Sequence, residues 1–143
     1  MVDYSATDFG KRIINYVYSG DIEVLRTLLE LNVVSPDQDI FHINNVPHTI
    51  LDVISKRIYS CPNYKEMIDA ILCYGHVDVS ASPSQTPLQH ALISRNFPVA
   101  AYLITRGGTY NLDYIHNYNV LTGSNLLLEF EKETSKANDQ YGD

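Results

Sequence analysis

The chain has no tryptophan and only two cysteines and two methionines. Cys61 and Cys73 are too few for a disulfide framework, so a packed core must hold the fold, and both read as inert thiols in a reducing compartment. No Asn-x-Ser/Thr acceptor for glycans occurs. Apolar runs are short and broken by Asn, Ser, His and Pro, well under the roughly 20 residues a membrane span needs. The start, MVDYSATDFGKR, lacks the apolar stretch of a secretory signal. Basic residues are scarce: 10 Lys and Arg stand against 17 Asp and Glu, and 10 − 17 gives −7. A nucleic-acid partner needs a basic surface, so it is excluded, and nothing points to a membrane. A cytoplasmic, monomeric protein is expected.

The chain does have the make-up of one packed domain: 143 residues, 45% hydrophobic and 19% charged. It is also rich in tyrosine, with 11 against 4 phenylalanines. Internal order is clearest in TPLQHALISRNFPVAAYLITRGGTYN, Thr86 to Asn111. Thr86 before Pro87 suits a helix N-cap with proline in the first turn. Leu88, Ala91 and Leu92 form an i, i+3, i+4 stripe. Arg95-Asn96-Phe97-Pro98 breaks that helix, and Pro98 starts the next, whose stripe is Val99, Tyr102 and Leu103. Gly107-Gly108 supplies a left-handed stop.

These residues strongly resemble an ankyrin repeat, without gaps, from the Thr86-Pro87-Leu88 start through Ala91, Leu103-Ile104 and Gly107 to Asn111. Departures are Gln89 in place of the usual His, His90 in place of Leu and Arg95 in place of Gly. Gln89 stands where the family's His links to the neighbouring turn. Weaker copies flank this one. Thr49-Ile50-Leu51 opens a helix and Ile68, Ile71, Leu72 and Gly75 close another, with five extra residues near 58–62. Ser19 to Asn32 resembles the second half of a repeat, with Gly20 at its turn and a first helix over about Lys11 to Tyr18. The position 33 residues after Thr86 is Asn119, and Val120 and Leu121 directly after it are expected to start a last helical segment running through Leu126, Leu127, Leu128 and Phe130.

The resemblance implies an all-α ankyrin-repeat solenoid in one domain, with repeats over about 7–43, 44–80 and 81–113, a half repeat over 114–132 and a polar, frayed tail over 133–143. About three such units are needed to bury a continuous core. Polar caps are expected at both ends: Asp3, Asp8, Lys11 and Arg12, then Glu129, Glu131, Lys132 and Glu133.

Catalytic signatures are missing. The five histidines, His42, His48, His76, His90 and His116, follow no metal-ligand spacing. No nucleophile elbow, phosphate-binding glycine frame or Cys beside an activating group occurs. Cys61 is expected in an exposed loop and Cys73 on a packed helix face. No cofactor is expected. The alternative, a small-ligand or metal-dependent enzyme using groove His and Cys residues, would be revealed by stoichiometric metal in the purified protein.

What remains is surface. The ankyrin resemblance implies a concave face of turns and first-helix ends that binds another protein. Transferred onto this chain, it comprises Tyr18; Asn45, Val46 and His48 with Lys56 and Arg57; Ser82, Pro83 and Gln85 with Ile93 and Ser94; and, in a last finger, Tyr110, Tyr114, His116 and Tyr118. Tyrosine offers large contact area with a polar tip, which suits an interface. The longer connection from Val33 to Val46 carries Ile40-Phe41-His42-Ile43, either an added strand or a contact site. Short, diverged ankyrin chains of this kind occur in viruses and intracellular bacteria, which implies a host protein as partner, in the host cytoplasm or nucleus.

Overall fold

The computed structural model describes residues 4–56, 61–81 and 85–141. Arg57, Ser82 and Pro83, named above, and most of the inserted loop, lie outside the described residues. The elements run β1 (Tyr4–Ser5), α1 (Asp8–Tyr18), α2 (Ile22–Glu30), β2 (Phe41–Ile43), β3 (Val46–His48), α3 (Ile50–Lys56), α4 (Tyr64–Leu72), α5 (Pro87–Ile93), α6 (Phe97–Thr105), α7 (Leu112–Thr122) and α8 (Leu126–Tyr141). The protein is mostly helical, but an all-α reading misses one small antiparallel sheet, ordered β1-β2-β3.

Each first helix of a pair begins on the same device. A side-chain oxygen accepts a backbone N–H three residues on: Thr7 from Gly10, Thr49 from Asp52, Thr86 from Gln89 and Asn111 from Tyr114. Asp21, Asn63, Asn96 and Asn125 stand at the starts of the second helices. Two of these also tie neighbouring pairs together. Asn63 Nδ2 donates to the Gly20 carbonyl (3.0 Å), and Asn96 Nδ2 donates to the carbonyls of Ile54 (3.2 Å) and Ser55 (3.3 Å). Asn63 and Asn96 are 33 residues apart.

The helices pack in two files. Helix α3 lies between α1 and α5, while α2 touches α4, α4 touches α6 and α6 touches α8. One core runs through both files, from Ile13, Val17, Leu25 and Leu29 through Ile50, Leu51, Met67, Ile68 and Ile71 to Leu88, Leu92, Leu103, Ile115 and Leu126. Each fully buried aliphatic contributes roughly 1.5–3 kcal/mol of transfer free energy, so packing of these stripes outweighs any single cap.

The longer connection is a hairpin. Asn44 and Asn45 both have positive φ (51° and 67°), the combination a two-residue type I′ turn needs. The Ile40-Phe41-His42-Ile43 stretch is therefore an added strand, with Phe41 half-buried against the core. Strand β1 pairs with it, Tyr4 opposite Ile43 and Ser5 opposite His42. Helix α1 fits beneath because Gly10 has no side chain: a Cβ there would run into the Ile40 carbonyl oxygen.

The C-terminal quarter differs most from expectation. Val120 and Leu121 do not open a helix; they end α7, which stops at the left-handed Gly123 (φ 69°). The spacing argument assumed a long finger after Asn111. Asn111 instead caps α7 directly, so the expected finger is helix. The polar stretch after residue 132 is helical too, since α8 continues to Tyr141.

Candidate functional site

The turns are cross-linked by polar groups, buried or part-buried at the second pair and mostly exposed at the third. At the second pair, Thr49 and Asp52 form a reciprocal capping box: Thr49 N–H donates to Asp52 Oδ2 (3.0 Å) and Asp52 N–H to Thr49 Oγ1 (3.1 Å). The same Oδ2 accepts from Ser80 Oγ (2.9 Å) and the Ala81 N–H (3.0 Å), fastening the turn that leads to α5. At the third pair Asp78 takes both the Thr109 N–H (2.9 Å) and hydroxyl (2.7 Å), and Thr86 Oγ1 donates to the Thr109 carbonyl (2.6 Å). Gln89 Oε1 accepts the Asn111 N–H (2.8 Å), so Gln89 does link its helix to the next turn.

These links frame a groove of about 600 Å³ lined by Gln85, Thr86, Gln89, Thr109, Tyr110, Asn111, Asp113, Tyr114 and Asn117. It brings together three of the residues chosen from sequence: Gln85, Tyr110 and Tyr114. Tyr110 is exposed and Tyr114 half-buried, with its phenol pushed up by burial. Asp113 is the one charged residue in the lining.

His116 and Tyr118 do not join them. His116 is two residues from Tyr114 and so faces a different way on the helix. His116 lines a second groove of about 420 Å³ with Leu112, Ile115, Asn119, Val120 and Leu127. Tyr118 faces back into the stack, where its hydroxyl accepts from Arg95 Nη1 (2.9 Å).

The other sequence choices disperse. Tyr18 lines a third groove, of about 470 Å³, with Ser5, Ala6, Lys11, Ile14, Asn15 and Phe41. Asn45 and Val46 sit at the exposed hairpin tip. Ile93 and Ser94 are half-buried at the end of α5, and Lys56 at the end of α3, where burial lowers its pKa. His48 is not surface at all. Its ring is fully buried, its Nδ1 lies 2.8 Å from the Val46 carbonyl, and its centroid is 5.2 Å from that of His90. His90 Nε2 lies 3.7 Å from Asp52 Oδ1, beyond hydrogen-bonding reach. Burial lowers His48 and takes His90 down to about 4, against the pull of Asp52 and with a further push from Lys56 and His48. His48, His90 and Asp52 are sealed from solvent and cannot meet a substrate.

The cysteines reverse their expected places. Cys73 is exposed, and Cys61 is half-buried with Sγ 3.6 Å from the Val17 carbonyl and its thiol pushed up by burial. Tyr74, beside Cys73, is exposed as well. Among the described residues no group of three His, Cys, Asp or Glu is arranged to hold a metal ion, and no helix is long and apolar enough to cross a membrane.

Sequence reasoning missed Arg95. It holds a left-handed backbone (φ 57°) where the resembled family has glycine. Its guanidinium reaches Glu129 (3.2 Å), Tyr118 (2.9 Å), Ser124 (3.0 Å) and the Ile93 carbonyl (3.1 Å), joining α5 to α7 and α8. Glu129 is therefore paired, not merely solvated. The signal was available as a bulky cation at a turn position built for glycine. Arg95→Ala should lose these ties and keep the backbone strain, costing about 2 kcal/mol; Arg95→Gly relieves the strain and should cost about 1 kcal/mol. Urea denaturation ranks the two, and an alanine variant no weaker than the glycine variant contradicts this account.

Comparison with family models, curated proteins and solved structures finds no match to this chain.

Proposed function

We propose that the chain is a short stack of ankyrin-type helix pairs that acts, without catalysis or cofactor, as a module binding another protein. Support for the ankyrin reading comes from the recurring Thr or Asn caps, the Asn63 and Asn96 ties, and Gln89 bridging to Asn111. The observation that carries the binding proposal is the groove between Gln85 and α7, walled by tyrosines and amides. Tyr110 offers a ring, Gln85 and Asn117 offer both donor and acceptor atoms, and Asp113 supplies the only charge in the lining. An extended segment of a partner, with a lysine or arginine set against Asp113 and a tyrosine face, fits that chemistry. The diverged, interrupted repeats favour a host-directed protein of a virus or intracellular bacterium, acting in host cytoplasm or nucleus.

The test is affinity capture from the native cell with mass spectrometry, comparing wild type with a Tyr110→Ala/Asp113→Ala/Asn117→Ala variant. All three side chains are exposed, so the far-UV circular dichroism should not change. Capture of the main partner should fall at least about tenfold, the equivalent of about 1.4 kcal/mol. Undiminished capture would remove the groove from the binding site.

A further inference from the structure

Two imidazoles and a carboxylate meet where β3 joins α3. His48 ends β3, Asp52 lies in the first turn of α3 and His90 lies on α5. Each is at most 2% exposed, and the ring centroids are 5.2 Å apart. His48 Nδ1 faces a carbonyl, which only accepts, so Nδ1 holds the proton of the neutral ring and Nε2 is an acceptor. Among the described residues, His48 Nε2, His90 Nε2 and Asp52 Oδ1 have no hydrogen-bond partner. Few charges face the rings: Asp52 and Lys56 act on both from α3, and Asp39 acts on His48 from the segment before β2. Asp52 Oδ2 is already engaged by the Thr49 and Ala81 N–H groups and by Ser80. The space therefore suits two neutral rings. One proton adds a buried charge that Lys56 repels, and a second sets two imidazolium ions against each other. Burial accordingly holds both rings below the ordinary histidine range.

We propose that this cluster is an acid-sensitive latch: as the pH falls, the β2–β3 hairpin swings off α3 and α5 while the rest of the stack stays folded. The hairpin is the part that can move. Strand β3 is three residues long and forms one edge of the sheet. The turn before it holds two asparagines at positive φ, a backbone that side chains other than glycine adopt at a cost. Helix α5, by contrast, is held by Leu88, Ala91 and Leu92, each at most 1% exposed. From Ile40 to His48 only Ile40, Ile43 and His48 are buried, so His48 is one of three anchors and the one that titrates. When His48 swings out, water reaches both rings, and each takes up a proton that the closed form resists. The closed form is therefore favoured above the ordinary histidine range and loses ground as the pH falls through it. His42, the other histidine of the hairpin, pairs with Asp39 (3.1 Å) at the surface, and a proton there strengthens that pair instead of opening the hairpin. The exposed tip, Asn45 and Val46, travels with the strand, so acid reshapes this part of the surface.

Amide hydrogen exchange followed by NMR tests this residue by residue. The reporters are the Ile40 N–H, which donates to the His48 carbonyl (3.0 Å), and the amides of the β2–β3 ladder. Each proton taken up on opening favours the open form by up to about tenfold per pH unit, so their protection should fall at least about tenfold from about pH 7 to about pH 5. Ile68, Ile71 and Leu92, in the core of α4 and α5, report global unfolding and should stay at least about tenfold better protected than the hairpin at about pH 5. A His48→Leu/His90→Leu variant keeps His42 and should lose the acid response of the hairpin. Hairpin amides that exchange in step with the core, or whose protection does not change with pH, overturn the proposal in the wild type alone, whether or not the variant folds. So does a folded variant that keeps the wild-type acid response.

Discussion

Replacing Asp52 with alanine should lower the unfolding free energy by about 3 kcal/mol, the largest loss expected from any single polar side chain here. One carboxylate oxygen accepts three hydrogen bonds, from the Thr49 N–H, the Ala81 N–H and Ser80 Oγ. Thr49 and Asp52 are fully buried, so water cannot replace what is lost at the start of α3. Removing the carboxylate also removes the cost of burying it, which keeps the net below the sum of three charge-assisted bonds. Asp52→Asn keeps an oxygen acceptor in the same shape and should lose less than half as much. Urea denaturation followed by circular dichroism measures both. An alanine variant within 1 kcal/mol of wild type would mean that the turn is held by something else.

Stability should also fall between pH 6.5 and about 4, by about 3 kcal/mol from His90 alone. His90 is the main cause. Its folded pKa is depressed to about 4 from the ordinary 6.5, chiefly because burial excludes water from the charged ring. The unfolded chain therefore takes up the proton first. The stabilising contribution is complete above pH 6.5, declines as the pH falls, and is gone once the pH passes the folded value. The figure follows from about 2.5 pH units at 1.36 kcal/mol each. His48 is lowered by the same burial and adds in the same direction. Asp52, 3.7 Å from His90, opposes the shift, and Lys56 and His48 reinforce it. His90→Leu leaves an apolar side chain in a site that is 2% exposed, so it should keep most of the stability at pH 7.5 and flatten the acid slope. An unchanged slope in that variant would assign the titration to other groups.

Much of the helical skeleton was legible because its determinants are local. Thr86, Pro87 and the Leu88, Ala91, Leu92 stripe sit within one and a half turns, and α5 forms where they place it. Gly107 has the left-handed backbone expected of a helix stop (φ 87°). The reading failed where local signals were weak. Helix α7 has no apolar stripe, burying only Ile115 among its 11 residues, so periodicity could not find it and spacing put the helix too late. The consequence was a misread site: Tyr114, His116 and Tyr118 looked like neighbours on a finger, but the helix turns His116 into another groove, and Tyr118, one turn beyond Tyr114, is engaged by Arg95.

The sequence by itself determined where most helices start and stop, because a cap, a proline or a left-handed residue acts over three or four positions whatever surrounds it. It also determined the acidic balance of the chain, a net charge of −7. Tertiary structure alone decided the rest. His48 and His90 are 42 residues apart, yet packing of α3 against α5 brings their rings together beside Asp52. Arg95 became a tie between three helices only once Glu129 and Tyr118 were folded against it. The exposure of Val120 and Leu121 on α7 was equally hidden, since exposure is a property of what a helix packs against.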